Sequence, residues 1–230
     1  MIAIICAMKQ ELDEILKLMY NFKSINIYSN QFYIGTINQK KCVAGLCGVG
    51  KVNAAICTQT LIMEYTPKAI LNVGVAGSID ENVKIGDVVI ADATIQHDFD
   101  ISAFSHRKKG EISGINSVEI KTSKHITDKL IACSEKIKNL TFHCGTVLTG
   151  DQFISSKEKL IDLKNEFGGL ACEMEAGSIA QTCLLNGISC GIIRAISDSA
   201  NSSSTLDFNS FIQTSSKNAA ILIDEFTKLI

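Results

Sequence analysis

Short apolar runs alternate with helical patterns along the whole chain, and this alternation restricts the folds that it can adopt. The runs predicted as strands are Ile2–Cys6, Lys41–Cys47, Ala69–Val73, Asp87–Ala93, Thr141–Leu148 and Ser189–Ile196. Between them, apolar residues recur at the three- and four-residue spacing of a helix face. The predicted helices are a first one marked by Leu12, Ile15, Leu16 and Met19, then Lys51–Glu64, Ser123–Lys136, Ser156–Asn165, Glu175–Leu185 and Asp207–Leu229.

The alternation predicts an α/β fold. Several of the strands are almost entirely apolar, which is typical of strands buried on both faces. Strands that alternate with helices favour a mostly parallel sheet joined by right-handed crossovers. No internal repeat or linker is visible in the 230 residues. A chain of this length buries roughly 70% of its unfolded surface, enough for one large core, so we expect a single domain over residues 1–230.

Charge and hydropathy exclude several classes of partner. The chain has 22 basic and 24 acidic residues and a net charge of −2, whereas binding a nucleic-acid backbone requires a clustered basic excess. No stretch approaches the roughly 18 uncharged apolar residues of a membrane span. The apolar start is followed at once by charged residues, which does not fit a signal peptide. We therefore expect no nucleic-acid partner and no membrane association.

The cysteines indicate a reducing compartment. There are nine of them, an odd number, with no CxxC pair, and most lie within apolar runs. They are predicted to be small core residues of a cytoplasmic protein rather than a disulfide framework. The four histidines are scattered, and no cysteine–histidine spacing of the zinc type occurs. We expect no metal site.

Loops that leave the carboxyl ends of strands are where open α/β sheets bind ligands. Four such exits carry informative residues: the turn after the first strand, Gly74–Ser78, Gly150–Ile154 and Ser197–Ser199. Two longer segments are also predicted as loops. Ser105–Lys124 mixes charges, Gly and Ser and should be exposed, and Asp198–Thr205 is a polar break before the last helix.

One glycine-rich motif resembles a phosphate loop without completing it. Gly45–Val52 matches GxxxxGK, but Val52 stands where a Ser or Thr hydroxyl would bind magnesium. The motif is better explained as a tight glycine turn that opens a helix, in which backbone can approach a ligand closely. A P-loop nucleotidase is therefore disfavoured.

The acidic residues at the strand exits fit either a structural or a catalytic role. Glu11 lies in the first turn of the first predicted helix, where the helix dipole favours a carboxylate. Glu173 and Glu175 end an apolar run and begin an Ala-containing helix. Arg194 lies inside a buried strand and needs an acidic partner, because an unpaired buried charge is costly. Asp198 stands at the carboxyl end of that same strand.

Taken together, these segments are more specific than any one of them. The motifs that occur in order are AMKQE, GVGKVNAA, NVGVAGSID, VKIGDVV, HDFDISAF, TGDQFI, CEMEA and RAISDSA. Over essentially its whole length, the chain resembles the bacterial 5′-methylthioadenosine/S-adenosylhomocysteine nucleosidases of the nucleoside phosphorylase superfamily. The resemblance implies a three-layer α/β/α sandwich around a mixed, mostly parallel sheet, a homodimer, a nucleoside substrate and no cofactor.

The resemblance also implies roles for individual residues. Glu11 matches the carboxylate that activates water, and Asp198 matches the acid that protonates the purine. Glu175, together with Met174, matches the pair that holds the ribose hydroxyls. The other positions implied at the substrate are Phe153 and Ile154 at the adenine, Ser197 beside the acid, and Met8, Val49, Ala76, Gly77, Arg194 and Phe208 around the pocket. Phe104 matches an aromatic residue that reaches the partner's thioalkyl pocket.

Two segments depart from the family pattern. Val75 stands where many members carry a hydroxyl residue, so one polar contact in that turn is expected to be missing. Ser105–Lys124 has no proline and matches poorly, which affects the expected partner-side lid and its room for a homocysteine tail.

The expected chemistry divides between an acid and a base. Adenine is a poor leaving group until a ring nitrogen is protonated, and a positioned water must then add to the oxocarbenium-like sugar. Because an aspartic acid normally ionises near pH 3.9, Asp198 would need apolar walls or bound substrate to raise its pKa. The only arginines are Arg107 and Arg194, and a carboxylate in the phosphate space would repel phosphate, so hydrolysis is favoured over phosphorolysis.

Three alternatives to this assignment remain open at the sequence level. They are a related nucleosidase for a futalosine-type nucleoside, a purine nucleoside phosphorylase, and a non-catalytic storage or binding protein of the same fold. Retention of both Glu11 and Asp198 argues against the storage role, which needs neither carboxylate.

Overall fold

The computed structural model describes the backbone of residues 1–199 and 204–230. Its strands are β1 (Ile2–Cys6), β2 (Tyr20–Ile27), β3 (Asn30–Ile37), β4 (Lys40–Leu46), β5 (Ala69–Ser78), β6 (Val88–Gln96), β7 (Ile120–Lys121), β8 (Phe142–Thr149), β9 (Ala171–Glu173) and β10 (Ser189–Ser199). Its helices are α1 (Lys9–Leu18), α2 (Lys51–Tyr65), α3 (Lys124–Ser134), α4 (Lys157–Phe167), α5 (Ala176–Leu185) and α6 (Ser204–Leu229). Part of the predicted polar break Asp198–Thr205 lies outside the described residues.

All ten strands belong to one mixed sheet. Its order is β10-β6-β8-β9-β5-β1-β4-β3-β2, with β7 beside β6, and β10 also pairs with β5. This extra pairing closes β5, β10, β6, β8 and β9 into a ring. The strands β4, β1, β5 and β10 run parallel to one another, so their carboxyl ends lie at the same edge, where a ligand site is expected.

Helices cover both faces of the sheet, which confirms the predicted three-layer α/β architecture. Because side chains alternate along a strand, Ile2, Ile4 and Cys6 pack with α1, α3 and α6 in one apolar core. Ala3 and Ile5 pack on the opposite face with α2 and α5. The two cores explain why β1 is apolar at every position.

The sheet is less parallel than the sequence predicts. Of its ten strand pairings, five are parallel and five are antiparallel. Four of the antiparallel pairings involve strands that the apolar pattern does not reveal, β2, β3, β7 and β9, and the fifth joins the predicted strands β6 and β10. β2 has no fully buried side chain, and β3 carries polar residues and Gly35. Both are held by hairpin pairing rather than by two-sided burial.

The segment Ser105–Lys124 is not the exposed loop that its composition predicts. Gly110, Ile112 and Ile120 are buried, and residues 120–121 form β7, which pairs with β6. A few apolar side chains are sufficient to anchor a charged segment against the sheet.

The cysteines follow the sequence expectation in part. All nine cysteines are free, and eight of them are buried, while Cys144 is exposed. Among the residues described, no helix is both long and apolar enough to cross a membrane. Within the same residues, no group of three or more His, Cys, Asp or Glu side chains is arranged to hold a metal ion.

Candidate active site

A cavity of about 340 Å³ opens at the edge of the sheet where the parallel strands end. Its wall comes from the β1–α1 turn, the β4–α2 turn, the carboxyl ends of β5 and β10, the loop after β8, the β9–α5 junction and α6. The lining residues are Ala7, Met8, Glu11, Val49, Val75, Ala76, Gly77, Phe153, Cys172, Glu173, Met174, Glu175, Ser197, Asp198 and Phe208. No basic side chain is among them.

Glu11 is a buried carboxylate that backbone amides hold in place. Its Oε2 accepts hydrogen bonds from the N–H groups of Ala7, at 2.8 Å, and Met8, at 2.9 Å. Its Oε1 accepts the N–H of Val75 at 2.9 Å. Glu11 therefore caps the start of α1 and also faces the cavity, so the structural and catalytic roles are compatible. Burial raises its pKa, although nearby Arg194 and the three amides oppose the shift.

Val75 takes part in this arrangement through its backbone. Because its N–H donates to Glu11, a hydroxyl side chain is not needed to link β5 to that carboxylate. The polar contact expected from the family pattern is absent from the side chain, but the turn still contributes a donor.

A buried ion pair lies beneath the cavity. Arg194 is 1% exposed and donates from Nε to Glu173 Oε2 at 3.2 Å. Its Nη2 also donates to Glu173 and to the side chain of Asn72. The pair satisfies the acidic partner that a charge inside a buried strand requires. Arg194 thus lies behind the wall, and its predicted contact with substrate stays a prediction.

Glu173 organises the β9–α5 junction. Its carboxylate accepts the backbone N–H groups of Glu175, at 2.9 Å, and Ala176, at 2.9 and 3.0 Å. The hydroxyl of Thr149 donates to it as well. These bonds satisfy N–H groups at the start of α5 and fix the backbone from which Met174 and Glu175 face the cavity.

Glu175 lies in the cavity wall under strong electrostatic constraint. Its Oε1 accepts the N–H of Gly50 at 2.9 Å, and its Oε2 lies 3.8 Å from Nη2 of Arg194. Burial and the neighbouring Glu173 carboxylate raise the pKa of Glu175 to about 8, while Arg194 and the Gly50 amide act in the opposite direction.

An irregularity in β10 brings two consecutive side chains to the cavity. Ile196 pairs with Ala76 and Asp198 with Gly77, so Ser197 is an extra residue in the ladder. Such a bulge changes the direction of side chains that would otherwise alternate between faces. Ser197 donates its hydroxyl to Asp198 Oδ1 at 2.8 Å. A Cβ on Gly77 would lie 2.9 Å from Asp198 Oδ2, so glycine leaves room for the carboxyl group.

Apolar groups form the remaining wall. The rings of Phe153 and Phe208 meet edge to face, with centroids 5.7 Å apart and planes at 77°. A small recess of about 30 Å³ adjoins the cavity and is lined by Ile154, Gln152 and Leu160 together with residues of the main wall. Such a surface suits a planar base and an apolar thioether.

The structure brings most of the residues implied by the resemblance to one place. Eleven of the fourteen line the cavity: Met8, Glu11, Val49, Ala76, Gly77, Phe153, Met174, Glu175, Ser197, Asp198 and Phe208. Ile154 lines the adjoining recess, and Arg194 lies behind the wall. Phe104 is 81% exposed and does not line the cavity of its own chain.

Four residues of the cavity wall are not predicted there by the sequence: Ala7, Val75, Cys172 and Glu173. Ala7 and Val75 contribute backbone to Glu11, which no side-chain pattern reveals. In the sequence Glu173 is one of two neighbouring acidic residues, and only the structure shows that it pairs with Arg194. Burial raises the pKa of the Cys172 thiol, which lies 3.7 Å from Nε2 of His97.

A larger depression of about 790 Å³ lies between residues 78–85 and α4. Its charged groups include the ion pair of Lys164 with Asp80 at 2.7 Å, and it contains no cluster of buried carboxylates. Size therefore does not identify the site, whereas the chemistry of the smaller cavity does.

Comparison with known proteins agrees with this geometry. Residues 1–228 match the model of the phosphorylase superfamily. A 5′-methylthioadenosine/S-adenosylhomocysteine nucleosidase of Staphylococcus haemolyticus is 33% identical over 231 residues, covering all of both chains. The corresponding protein of Oceanobacillus iheyensis is 36% identical over 232 residues, covering 100% of this chain and 99% of its own.

Solved structures give the same result. The nucleosidase of Neisseria meningitidis in complex with methylthio-immucillin-A has a TM-score of 0.94 and 31% identity, with 100% of this chain and 99% of that chain covered. A futalosine hydrolase of Helicobacter pylori also has a TM-score of 0.94 and 31% identity, with 100% and 97% covered. The chain belongs to the phosphorylase superfamily and, within it, to the family of 5′-methylthioadenosine/S-adenosylhomocysteine nucleosidases.

Proposed function

We propose that this protein is an N-glycosidase that hydrolyses 5′-methylthioadenosine and S-adenosylhomocysteine to adenine and the corresponding thioribose product. The observation that carries the proposal is the presence of two buried carboxyl groups, Glu11 and Asp198, in one cavity with apolar walls. Glu11 accepts the N–H of Val75 in β5, and Asp198 is paired with Gly77 of the same strand. These contact points are two residues, or roughly 7 Å, apart along the strand, which leaves space for the scissile bond.

In this mechanism Asp198 is the acid and Glu11 the base. Asp198 protonates the purine as the glycosidic bond breaks, and the hydroxyl of Ser197 orients its carboxyl group. Glu11 takes a proton from the attacking water. A carboxylate with a raised pKa is a stronger base than an exposed one, which suits proton transfer near neutral pH.

The sugar is held between these two groups. Glu175 accepts hydrogen bonds from ribose hydroxyls, and Met174 packs against the sugar. Phe153 and Phe208 provide the aromatic surface for adenine and the thioether side, with Ile154 at the base. Positioning of this kind converts binding energy into orientation of the reacting groups.

Water, rather than phosphate, is the proposed nucleophile. No basic side chain lines the described cavity. Arg194 is bound by Glu173, and Arg107 forms an ion pair with Glu111 at 2.8 Å. The Glu11 carboxylate would also repel a phosphate dianion, so the electrostatics of the site favour hydrolysis.

The futalosine-type alternative uses the same fold, as the similarity to the Helicobacter pylori futalosine hydrolase indicates. Relatives that match 99–100% of this chain are instead 5′-methylthioadenosine/S-adenosylhomocysteine nucleosidases, and they favour the main assignment. Supplying the purified protein with a futalosine-type nucleoside and 5′-methylthioadenosine together, and measuring which one is hydrolysed faster, separates the alternatives.

A homodimer in the cytoplasm is part of the proposal. The supporting feature is an exposed surface, here called the α2–α5 apolar face, formed by Val52, Ile56, Met63, Leu184 and Leu185. The two helices pack together, and Gln59 of α2 donates to Asn186 at the end of α5. Exposed apolar surface of this kind is typical of a subunit interface.

The cavity lies beside this face. Val49 lines the cavity and is itself half exposed, one turn before Val52. A second copy on the α2–α5 apolar face would therefore reach the cavity mouth, and the exposed Phe104 is the aromatic residue proposed to enter the partner's site. The nine free cysteines support a reducing, cytoplasmic location.

The roles of the two carboxyl groups can be tested with isosteric variants. Glu11→Gln and Asp198→Asn keep side-chain size but remove the base and the acid, so each should lower turnover by about 10² to 10⁴. Glu11→Gln should retain affinity for substrate, because the sugar and base contacts lie elsewhere. Turnover, substrate affinity and melting temperature are measured on the same preparations.

Matched controls use carboxyl groups outside the cavity. Glu14→Gln changes another buried carboxylate of α1, and Asp224→Asn changes an aspartate of α6 that pairs with Lys228; both should retain turnover. A stable Glu11→Gln or Asp198→Asn protein with turnover within a few-fold of the parent would show that the assigned role is wrong.

A further inference from the structure

The lysine of the incomplete phosphate-loop motif has a partner in the protein. Lys51 Nζ donates to Asp98 Oδ1 at 2.6 Å, and the two side chains are only 18% and 19% exposed. The Lys51 ammonium group therefore binds the Asp98 carboxylate and does not face an open loop where a phosphate could bind. The motif that suggests phosphate binding in the sequence serves another purpose here.

Lys51 and Asp98 belong to a closed ring of hydrogen bonds that joins three loops. Asp98 Oδ2 accepts the backbone N–H of Asp151 at 2.9 Å. Asp151 Oδ1 in turn accepts the backbone N–H of Lys51 at 2.8 Å. The three residues follow β4, β6 and β8 respectively. This Lys51–Asp98–Asp151 ring fixes the first residue of α2 at both its backbone and its side chain.

The ring meets the cavity at Gly50. The N–H of Gly50 donates to Glu175 Oε1 at 2.9 Å. Gly50 has a φ of +100°, and a Cβ there would lie 3.2 Å from Asp151 Oδ1, so the turn requires glycine. Because Lys51 is anchored twice, the direction of the preceding N–H is determined by the ring.

We propose that the Lys51–Asp98–Asp151 ring is a positioning device that sets the orientation of the Glu175 carboxylate and thereby the selection for nucleosides that carry free ribose hydroxyls. The inference rests on the proposed function and extends it to residues outside the cavity wall. Lys51, Asp98 and Asp151 do not touch the substrate in this proposal. They act through the Gly50 amide, which holds one oxygen of Glu175.

The placement of the second oxygen makes this support necessary. Glu175 Oε2 is 3.8 Å from Arg194, which is already bound by Glu173 and Asn72. Without the hydrogen bond from the Gly50 N–H, the 3.8 Å contact with Arg194 would be the main interaction that holds the Glu175 carboxylate in its orientation. A misplacement of about 1 Å in such a group can cost about 10²-fold in rate.

The test compares variants of the ring on substrates with and without the hydroxyls. The enzyme and its Lys51→Met, Lys51→Arg and Asp98→Ala variants are assayed on 5′-methylthioadenosine and on its 2′-deoxy and 3′-deoxy analogues. Lys51→Met should lose about ten-fold or more in kcat/KM on 5′-methylthioadenosine. On at least one deoxy analogue the loss should shrink to about three-fold or less, because the hydroxyl that Glu175 holds is absent.

Two further readouts separate positioning from general damage. Lys51→Arg keeps the charge and should remain within about three-fold of the parent. The Lys51→Met/Asp98→Ala double variant should be no worse than the poorer single variant, as expected for residues that act as one unit. Lys164→Met, which removes a loop-to-helix ion pair outside the cavity, should leave kcat/KM unchanged on all three substrates. Affinity for adenine alone should not change in the ring variants.

Failure of the inference differs from failure of the proposed function. If the parent hydrolyses 5′-methylthioadenosine but Lys51→Met matches it, or loses the same factor on all three nucleosides, the positioning role is wrong. If the folded parent releases no adenine from 5′-methylthioadenosine, the proposed function is wrong and the inference falls with it.

Discussion

Three carboxylates, those of Glu11, Glu173 and Glu175, surround the single guanidinium of Arg194. One buried cation cannot neutralise three buried anions, so protonation of Glu11 and Glu175 is favoured in the free protein. The pKa of Glu11 is raised by burial, and burial together with Glu173 raises the pKa of Glu175 to about 8. The charge that prepares this cavity for a sugar therefore also makes the free protein sensitive to pH.

The protonation of Glu175 predicts a slope of stability with pH. Its pKa in the folded state, about 8, lies above the value near 4.5 in the unfolded chain. Between these pH values the folded protein binds more protons at Glu175 than the unfolded chain does. The stability that Glu175 contributes is therefore fully present below about pH 4.5 and is lost as pH rises through about 8. The decrease attributable to Glu175 is at most about 1.4 kcal/mol per pH unit.

The Glu175→Gln variant measures this contribution. Urea unfolding of the ligand-free protein at several values between pH 5 and pH 8 should give a flatter dependence for the variant than for the parent. The variant should gain stability relative to the parent as pH increases. Parallel curves for the two proteins would contradict the raised pKa of Glu175.

Among the secondary-structure elements, those buried on both faces are the ones that the sequence reveals. β1 is apolar throughout and is observed at the predicted residues, Ile2–Cys6. β5 continues beyond its predicted end at Val73 to Ser78, because pairing with β10 and β9 stabilises its glycine-containing end. β2 and β3 have no such apolar signature and depend on their neighbours in the sheet.

The same limit applies to the site. Strand exits and motifs are visible in the sequence, and they led to Glu11, Glu175 and Asp198. The pairing of Arg194 with Glu173 depends on β9 and β10 both lying beside β5, which is a property of the sheet order. Backbone contributions such as the N–H of Gly50 and Val75 leave no trace in residue type.

The carboxyl half of β5 must pass between two charged side chains. A Cβ on Gly74 would lie 2.6 Å from Glu11 Oε1 and 2.8 Å from Arg194 Nη1. Three backbone amides hold Glu11, and Glu173 and Asn72 hold Arg194, so neither group can retreat easily. Gly74→Ala should therefore cost about 1–3 kcal/mol of stability and lower kcat/KM at least ten-fold.

Gly114→Ala is the matched control. A Cβ at Gly114 meets no atom within 4 Å, but its φ of +87° strains an alanine at a cost of about 1–3 kcal/mol. This variant should lose stability and keep its activity. Denaturant unfolding and steady-state kinetics on both variants distinguish the two effects, and a Gly74→Ala protein with the parent's activity would contradict the proposed crowding.

At the scale of the whole molecule, the α2–α5 apolar face predicts association. We expect the parent to have twice the 24.9 kDa mass of one chain by light scattering at micromolar concentration, with an interface of more than about 2,000 Å². Ile56→Lys combined with Met63→Lys places two charges in that face and should give monomers with reduced activity. Tyr28→Lys, which changes an exposed aromatic residue near β2, should leave the dimer intact. A fully active parent of 24.9 kDa would contradict the prediction.

Hydrolysis by water in the cavity between Glu11 and Asp198 is the central claim, and identifying the sugar product tests it most directly. The purified protein is incubated with 5′-methylthioadenosine in buffers with and without phosphate, and the products are separated and identified by mass. We expect adenine and free methylthioribose in both buffers at similar rates, because the described residues of the cavity wall include the Glu11 carboxylate and no basic side chain that could bind phosphate. A sugar phosphate that forms only when phosphate is present would contradict the account.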